Sequence, residues 1–177
     1  MNRTLSLTAT AAALLALAAC SSSAKTASSD SAPSGASTTA TTTAATPASL
    51  NATQVMAKLT TLVPQAKQGL IVTAANDSNQ LLGRPNEYTS EVYFTDSRVP
   101  ASDTQFDKPG DVDLGGAIEV FPNAALAAGR VKYIQALGAV PMFAEYDYQA
   151  GDAVIRVSHY LTPAQAADYQ KAAKTLG

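Results

Sequence analysis

The stretch Glu145–Gln170, "EYDYQAGDAVIRVSHYLTPAQAADYQ", decides the fold class. Its first part alternates in polarity on both sides of Ala150-Gly151-Asp152, a turn sequence, so it reads as a β-hairpin. Thr162-Pro163-Ala164-Gln165 follows at once: a capping box with proline at the first helical position. Ala166, Tyr169, Ala173 and Leu176 then recur at helical spacing. A hairpin followed by an amphipathic helix points to an α+β domain rather than to alternating strand–helix units.

The same grammar extends upstream. "YTSEVYFTD" (Tyr88–Asp96) puts Ser90, Val92 and Phe94 on one face, and Glu91, Tyr93 and Thr95 on the other. "GLIVTA" (Gly69–Ala74) and "GAIEVF" (Gly116–Phe121) read as two further strands. Pro122-Asn123 opens a helix through Leu137, with Ala124, Ala127, Val131 and Ile134 toward the sheet. Gly129 inside it costs about 1 kcal/mol relative to alanine, which suggests close helix–sheet approach. Asn51-Ala-Thr-Gln54 is a second capping box, and Val55, Met56, Leu59, Leu62 and Val63 form an apolar face behind it. Asp77-Ser-Asn-Gln80 is a third such pattern, predicting one helical turn that ends at Gly83.

The expected order is α-β-β-β-α-β-β-α. This is a two-layer α+β domain over 49–177, with about five mainly antiparallel strands and the helices packed on one face. About 129 residues suffice for a core without staples.

The preceding residues carry a different message. Arg3 is followed by an uncharged apolar run, Leu5–Ala19, shorter than the about 20 residues a spanning helix needs. That is the pattern of a secretory signal over 1–19. "LAAC" (Leu17–Cys20) looks like a bacterial lipobox, which implies cleavage between Ala19 and Cys20 and a diacylglycerol, palmitate-type lipid anchor on the Cys20 thiol. The alternative is an ordinary cleaved signal followed by a stray cysteine. With two or more acyl chains the anchor is stable, at about 0.8 kcal/mol per buried CH₂. The expected location is the cell membrane, with the domain on its extracytoplasmic face. Residues 21–47 hold 15 Ser/Thr and 7 Ala, too little apolar surface to offset ordering. A disordered linker over 20–48, about 26–31 Å from end to end, is the expectation.

Composition removes several activities. Cys20 is the only cysteine, so a lipidated chain has no thiol nucleophile, disulfide or cysteine metal site. Without Arg3 the chain has 11 Lys/Arg against 14 Asp/Glu and no basic run, so no nucleic-acid partner is assigned. Walker A, dinucleotide-glycine, G-x-S-x-G and H-E-x-x-H patterns are absent, so no cofactor and no catalytic residue is assigned. His159 is the only histidine and reads as a structural residue on the strand face with Ile155, Val157 and Leu161.

The long loop Ser97–Gly116 carries Asp103, Asp107, Asp111 and Asp113. "DVDLGG" opens like an EF-hand loop, but Pro122 stands at the twelfth position where a glutamate is needed, so no metal is assigned. Glu145 and Asp147 share a strand face about 6.8 Å apart. That spacing suits paired-carboxylate glycoside chemistry, although outward acids on a strand are the plainer reading. Glu91, Tyr93 and Arg156 point to a polar, aromatic outer face that would serve as a recognition surface if no helix covers it.

Three phrases carry a resemblance. They are "NDSNQLLGRPNEYTSEVYFTD" (76–96), "GGAIEVFPNAALAAGRVKYI" (115–134) and the opening stretch. Together they resemble a family of small, uncharacterised surface lipoproteins of Gram-positive, actinobacterial-type bacteria. The matching positions include Leu82, Gly83, Arg84, Pro85, Tyr88, Gly116, Glu119, Arg130, Tyr133, Glu145 and Tyr146. The resemblance implies a domain and a location but no substrate.

The functional expectation is a non-enzymatic binding or interaction module in the cell envelope, facing an envelope protein or wall component. Arg84, Tyr88, Tyr93, Glu145, Tyr146 and Arg156 are its candidate binding residues. The alternatives are a wall or glycan hydrolase using Glu145/Asp147 or His159, and a small envelope protein inhibitor. The inhibitor reading rests only on an echo between "LLGRPNEYTSEVYF" and "ALGAVPMFAEYDY".

Overall fold

Asn51 and Gln54 exchange the two hydrogen bonds of a capping box, each 2.9 Å, and so fix the start of α1 (Ala52–Leu62). In this computed structural model, which describes residues 49–177, the caps expected for the other two helices form as well. The Asn123 side chain accepts from the Leu126 amide at the start of α2 (Ala124–Leu137). Thr162 and Gln165 form the second capping box, with Pro163 opening α3 (Pro163–Leu176). Each cap contributes about 1 kcal/mol by satisfying amides that have no partner inside the helix. The signal, the lipidation site Cys20 and the linker lie outside the described residues. Among the described residues no helix is long and apolar enough to cross a membrane.

Five strands form one sheet: β1 (Ala66–Ile71), β2 (Ser90–Asp96), β3 (Gly115–Val120), β4 (Glu145–Ala150) and β5 (Ala153–Ser158). Their order is β1-β2-β3-β5-β4, and every neighbouring pair is antiparallel. The expected α+β class with a five-stranded antiparallel sheet is what the chain adopts. β1 starts three residues before the apolar run that suggested it. Pairing with β2 begins at Ala66↔Asp96, and as an edge strand β1 keeps most of its side chains exposed. At the other end β5 stops at Ser158, so His159 leaves the strand and sits half-exposed in a turn. The Ser158 hydroxyl makes that turn by donating to the Asp113 carbonyl while accepting from the Tyr160 amide.

The register sorts side chains onto two faces. Val92, Ile118 and Ile155 align across three strands, flanked by Phe94, Val120 and Val157. They pack with Val55, Met56 and Leu59 of α1 and Tyr169 of α3 in the main core. The Phe94 and Tyr169 rings stack at 5.5 Å. Each such buried side chain contributes about 1.5–3 kcal/mol. Gly116 is required here, because a Cβ would collide with the Phe94 ring and with the Arg156 carbonyl.

α2 does not share that layer. Its Ala127 packs with Phe121, Tyr88 and Val154, which occupy the opposite face. The expectation that all helices lie on one face therefore holds for α1 and α3 only. The reason is topological. β3 and β4 run parallel with β5 between them, so α2 is a crossover, and the hand of a crossover selects the face it covers. Gly129 also departs from its expected role, since nothing lies within 4 Å of where its Cβ would be.

The segment 76–89 forms no helical turn. Gln80 takes a positive φ of 55° and Gly83 one of 73°, so the chain turns back on itself instead. Asp77 organises it by accepting from the amides of Asn79, Leu81 and Leu82 and from the Tyr88 hydroxyl. The two echoing segments, 81–94 and 136–148, do not share a structure: a turn leads into β2, whereas the end of α2 and the turn Pro141–Phe143 lead into β4.

Candidate functional site

On the face shared with α2, alternation along four strands, β2 to β5, brings Glu91, Glu119, Glu145, Asp147 and Arg156 together. Glu119 is fully buried between two guanidiniums. Arg130 of α2 grips it with two bonds of 2.7 Å, and Arg156 donates to it at 3.0 Å. Arg156 also forks onto Glu145 at 3.0 and 3.1 Å. The result is a continuous chain, Arg130–Glu119–Arg156–Glu145. Bidentate, charge-assisted bonds of this kind fix side-chain geometry as well as adding energy. Burial works against the Arg156 charge, but Glu119 and Glu145 outweigh it and hold the group firmly protonated.

Two carboxyls are left over. Neither oxygen of Glu91 has a hydrogen-bond partner, and one oxygen of Asp147 has none. Burial first, then repulsion from Glu119, pushes the Glu91 carboxyl up to about 7. The nearby Tyr93 and Tyr88 hydroxyls and Arg156 pull it partway back, although neither hydroxyl reaches hydrogen-bonding geometry. Asp147 is raised for the same two reasons, burial and the neighbouring Glu145.

Above this charged floor lies an open cleft of about 680 Å³. Tyr93, Glu145 and Arg156 line it from the sheet, and Arg130, Tyr133 and Leu137 from α2. The loop carrying Asp107, Asp111 and Asp113 and the turn Pro141–Phe143 contribute further walls. The rim is unusually apolar for a surface. Tyr133, Leu137, Met142 and Phe143 are each between 40% and 76% exposed. Arg130 lies 5.7 Å from the centre of the Tyr133 ring, so charge and aromatic surface meet at one point.

The structure divides the six candidate binding residues. Tyr93, Glu145 and Arg156 meet in the cleft. Tyr88 does not, because it is fully buried and bonded to Asp77; it is a structural residue. Tyr146 lies on the opposite sheet face, packed against the main core. Arg84 is exposed in the 76–89 loop and lines none of the cleft. Arg130, Tyr133, Met142 and Phe143 were missed as cleft residues, and Glu119 was missed as the buried hub beneath them. For Glu119 the signal was present: it alternates with Ile118 and Val120 and so had to share a face with Arg156.

Other candidates resolve differently. His159 approaches Asp113 to 3.2 Å without hydrogen-bond geometry, and its ring lies tilted against Tyr160, centroids 4.0 Å apart. Among the described residues no three His, Cys, Asp or Glu side chains converge on a metal position. Glu145 is tied by both oxygens to Arg156 rather than free beside Asp147. Comparison with protein families, characterised proteins and solved structures finds no match for this chain.

Proposed function

We propose that residues 49–177 form a non-enzymatic ligand-binding module of a cell-envelope lipoprotein, held at the extracytoplasmic membrane surface through Cys20. The carrying observation is the cleft of about 680 Å³, with a fixed charged floor and an exposed aromatic and thioether rim. Open, concave sites with a few convergent polar groups are the usual form of ligand sites. A cleft rather than a flat sheet shifts the reading toward a ligand, or a partner segment, small enough to enter it. Supporting a binding rather than a catalytic role, Arg156 and Glu145 neutralise each other at the floor. Attachment to a family of small surface lipoproteins rests on the sequence resemblance and the lipobox.

The test uses the full chain as bait for envelope proteins and wall material, beside Phe143→Ser and Tyr133→Ser variants. Specific retention that falls several-fold in both variants supports the reading. Equal retention by all three forms overturns it. Turnover in a glycan-hydrolase screen that vanishes in Glu145→Gln would replace it with the hydrolase alternative. Membrane release of a Cys20→Ser chain tests the anchor separately.

A further inference from the structure

Adjoining the main cleft is a second hollow of about 200 Å³, which shares Tyr93, Ser78, Gly110 and Asp111 with it. Glu91 lines this hollow, is only 2% exposed, and has no partner for either carboxylate oxygen. Every acid near it is already engaged. Glu119 holds Arg130 and Arg156, Asp77 holds its own loop, and Asp111 accepts from the Lys108 amide. Lys108 is the basic side chain on the rim of the hollow, and it does not reach Glu91.

The local balance is therefore one-sided. Four inward carboxyls on this face oppose two guanidiniums, and the surplus falls on Glu91 and Asp147. A buried carboxyl without a donor is costly, and it is satisfied best by a charged donor. The groups facing Glu91 are Glu119 from β3, Arg156 from β5, Tyr93 from its own strand and Tyr88 from the preceding loop; together they leave it near the midpoint of titration at neutral pH.

We propose that this hollow is a subsite for an organic cation, in which a ligand's primary ammonium or guanidinium group donates to Glu91 while its alkyl stem lies against Leu70, Val72 and Tyr93. This rests on the binding-module reading and adds the chemical class of the ligand. The same chemistry is offered by a free alkylamine and by a lysine or arginine side chain of a peptide.

The test titrates the full chain with n-butylammonium, n-propylguanidinium and neutral n-butanol, and separately with the tripeptides Ala-Lys-Ala and Ala-Ala-Ala, by calorimetry or chemical-shift perturbation. Both small cations bind saturably, and n-butanol binds at least about tenfold more weakly. Glu91→Gln, nearly isosteric, keeps its far-UV spectrum and loses the cations by about tenfold or more. Lys108→Ala removes an exposed like charge and strengthens cation binding a few-fold. Ala-Lys-Ala displacing n-butylammonium assigns a peptide source; n-butylammonium binding without the tripeptide assigns a free amine. Unchanged cation affinity in Glu91→Gln, or n-butanol binding as well as n-butylammonium, overturns the proposal. Retention of envelope material that falls in Phe143→Ser but not in Glu91→Gln overturns the cation subsite and leaves the binding module standing.

Discussion

Alternate residues of the same strands build two unlike surfaces. Toward α1 and α3 the sheet presents Val92, Phe94, Ile118, Val120, Ile155 and Val157, sealed into one core. Toward α2 it presents Glu91, Tyr93, Glu119, Glu145, Asp147 and Arg156. The apolar face supplies stability that depends on close packing. The charged face gains little net stability from its ion pairs, because desolvation offsets attraction, but it fixes guanidiniums and carboxylates at set positions beneath a cleft. One face holds the fold, and the other is free to be specific.

Cutting the apolar face should do the most damage. Phe94→Ala removes a ring stacked on Tyr169 and packed over Gly116, so it should cost about 3–5 kcal/mol in urea unfolding. Next comes the hub of the charged face. Glu119→Gln leaves Arg130 and Arg156 facing an amide and should cost about 2–3 kcal/mol, less than the ring because Arg156 keeps Glu145. A loss larger than that of Phe94→Ala would show that the ion network, not the core, holds the domain.

A third effect depends on pH and has opposite sign on the two faces. Burial raises the Asp96 carboxyl, but hydrogen bonds from Arg98 and Tyr169 outweigh it and hold it below the ordinary carboxylate value. Its contribution is present above that ordinary value and disappears as acid protonates the folded state. Glu91 behaves in reverse. Its folded value of about 7 lies above the ordinary 4.5, so the folded chain is favoured at low pH and loses stability as pH rises through that window. Glu91→Gln should therefore match the parent near pH 4 and exceed it by about 3 kcal/mol near pH 8. Parallel unfolding curves across that range would mean that Glu91 is not desolvated in the folded state. The smallest stability effect belongs to the rim: Phe143→Ser should change stability by less than about 0.5 kcal/mol, because the ring is half-exposed, while still reducing ligand retention.

Much of this was legible beforehand for a local reason. Asn51–Gln54 and Thr162–Gln165 satisfy their own helix ends within four residues, and the alternation in "EVYF" and "AVIRV" sets sidedness residue by residue. Tyr88 misled because a tyrosine at a strand entrance says nothing about what its hydroxyl meets; Asp77, eleven positions earlier, takes it. The 77–80 capping pattern misled because Asp77 bonds onward to Leu81 and Leu82, a turn arrangement that competes with the helical one. Tyr146 was assigned to the wrong company because its partners depend on which sheet face is which, and that is decided between elements.

The caps of α1 and α3, the alternation of each strand and hence the α+β class were readable from residue order alone, since all of these depend on neighbours within about one turn or one strand. Only the tertiary structure decided strand order, the placement of α2 on the second face, and the meeting of Arg130 with Glu119 and Arg156 with Glu145. Those depend on crossover topology and register, which bring together groups far apart in the chain. The cleft exists because α2 lands over the charged face, and no stretch of the sequence states that.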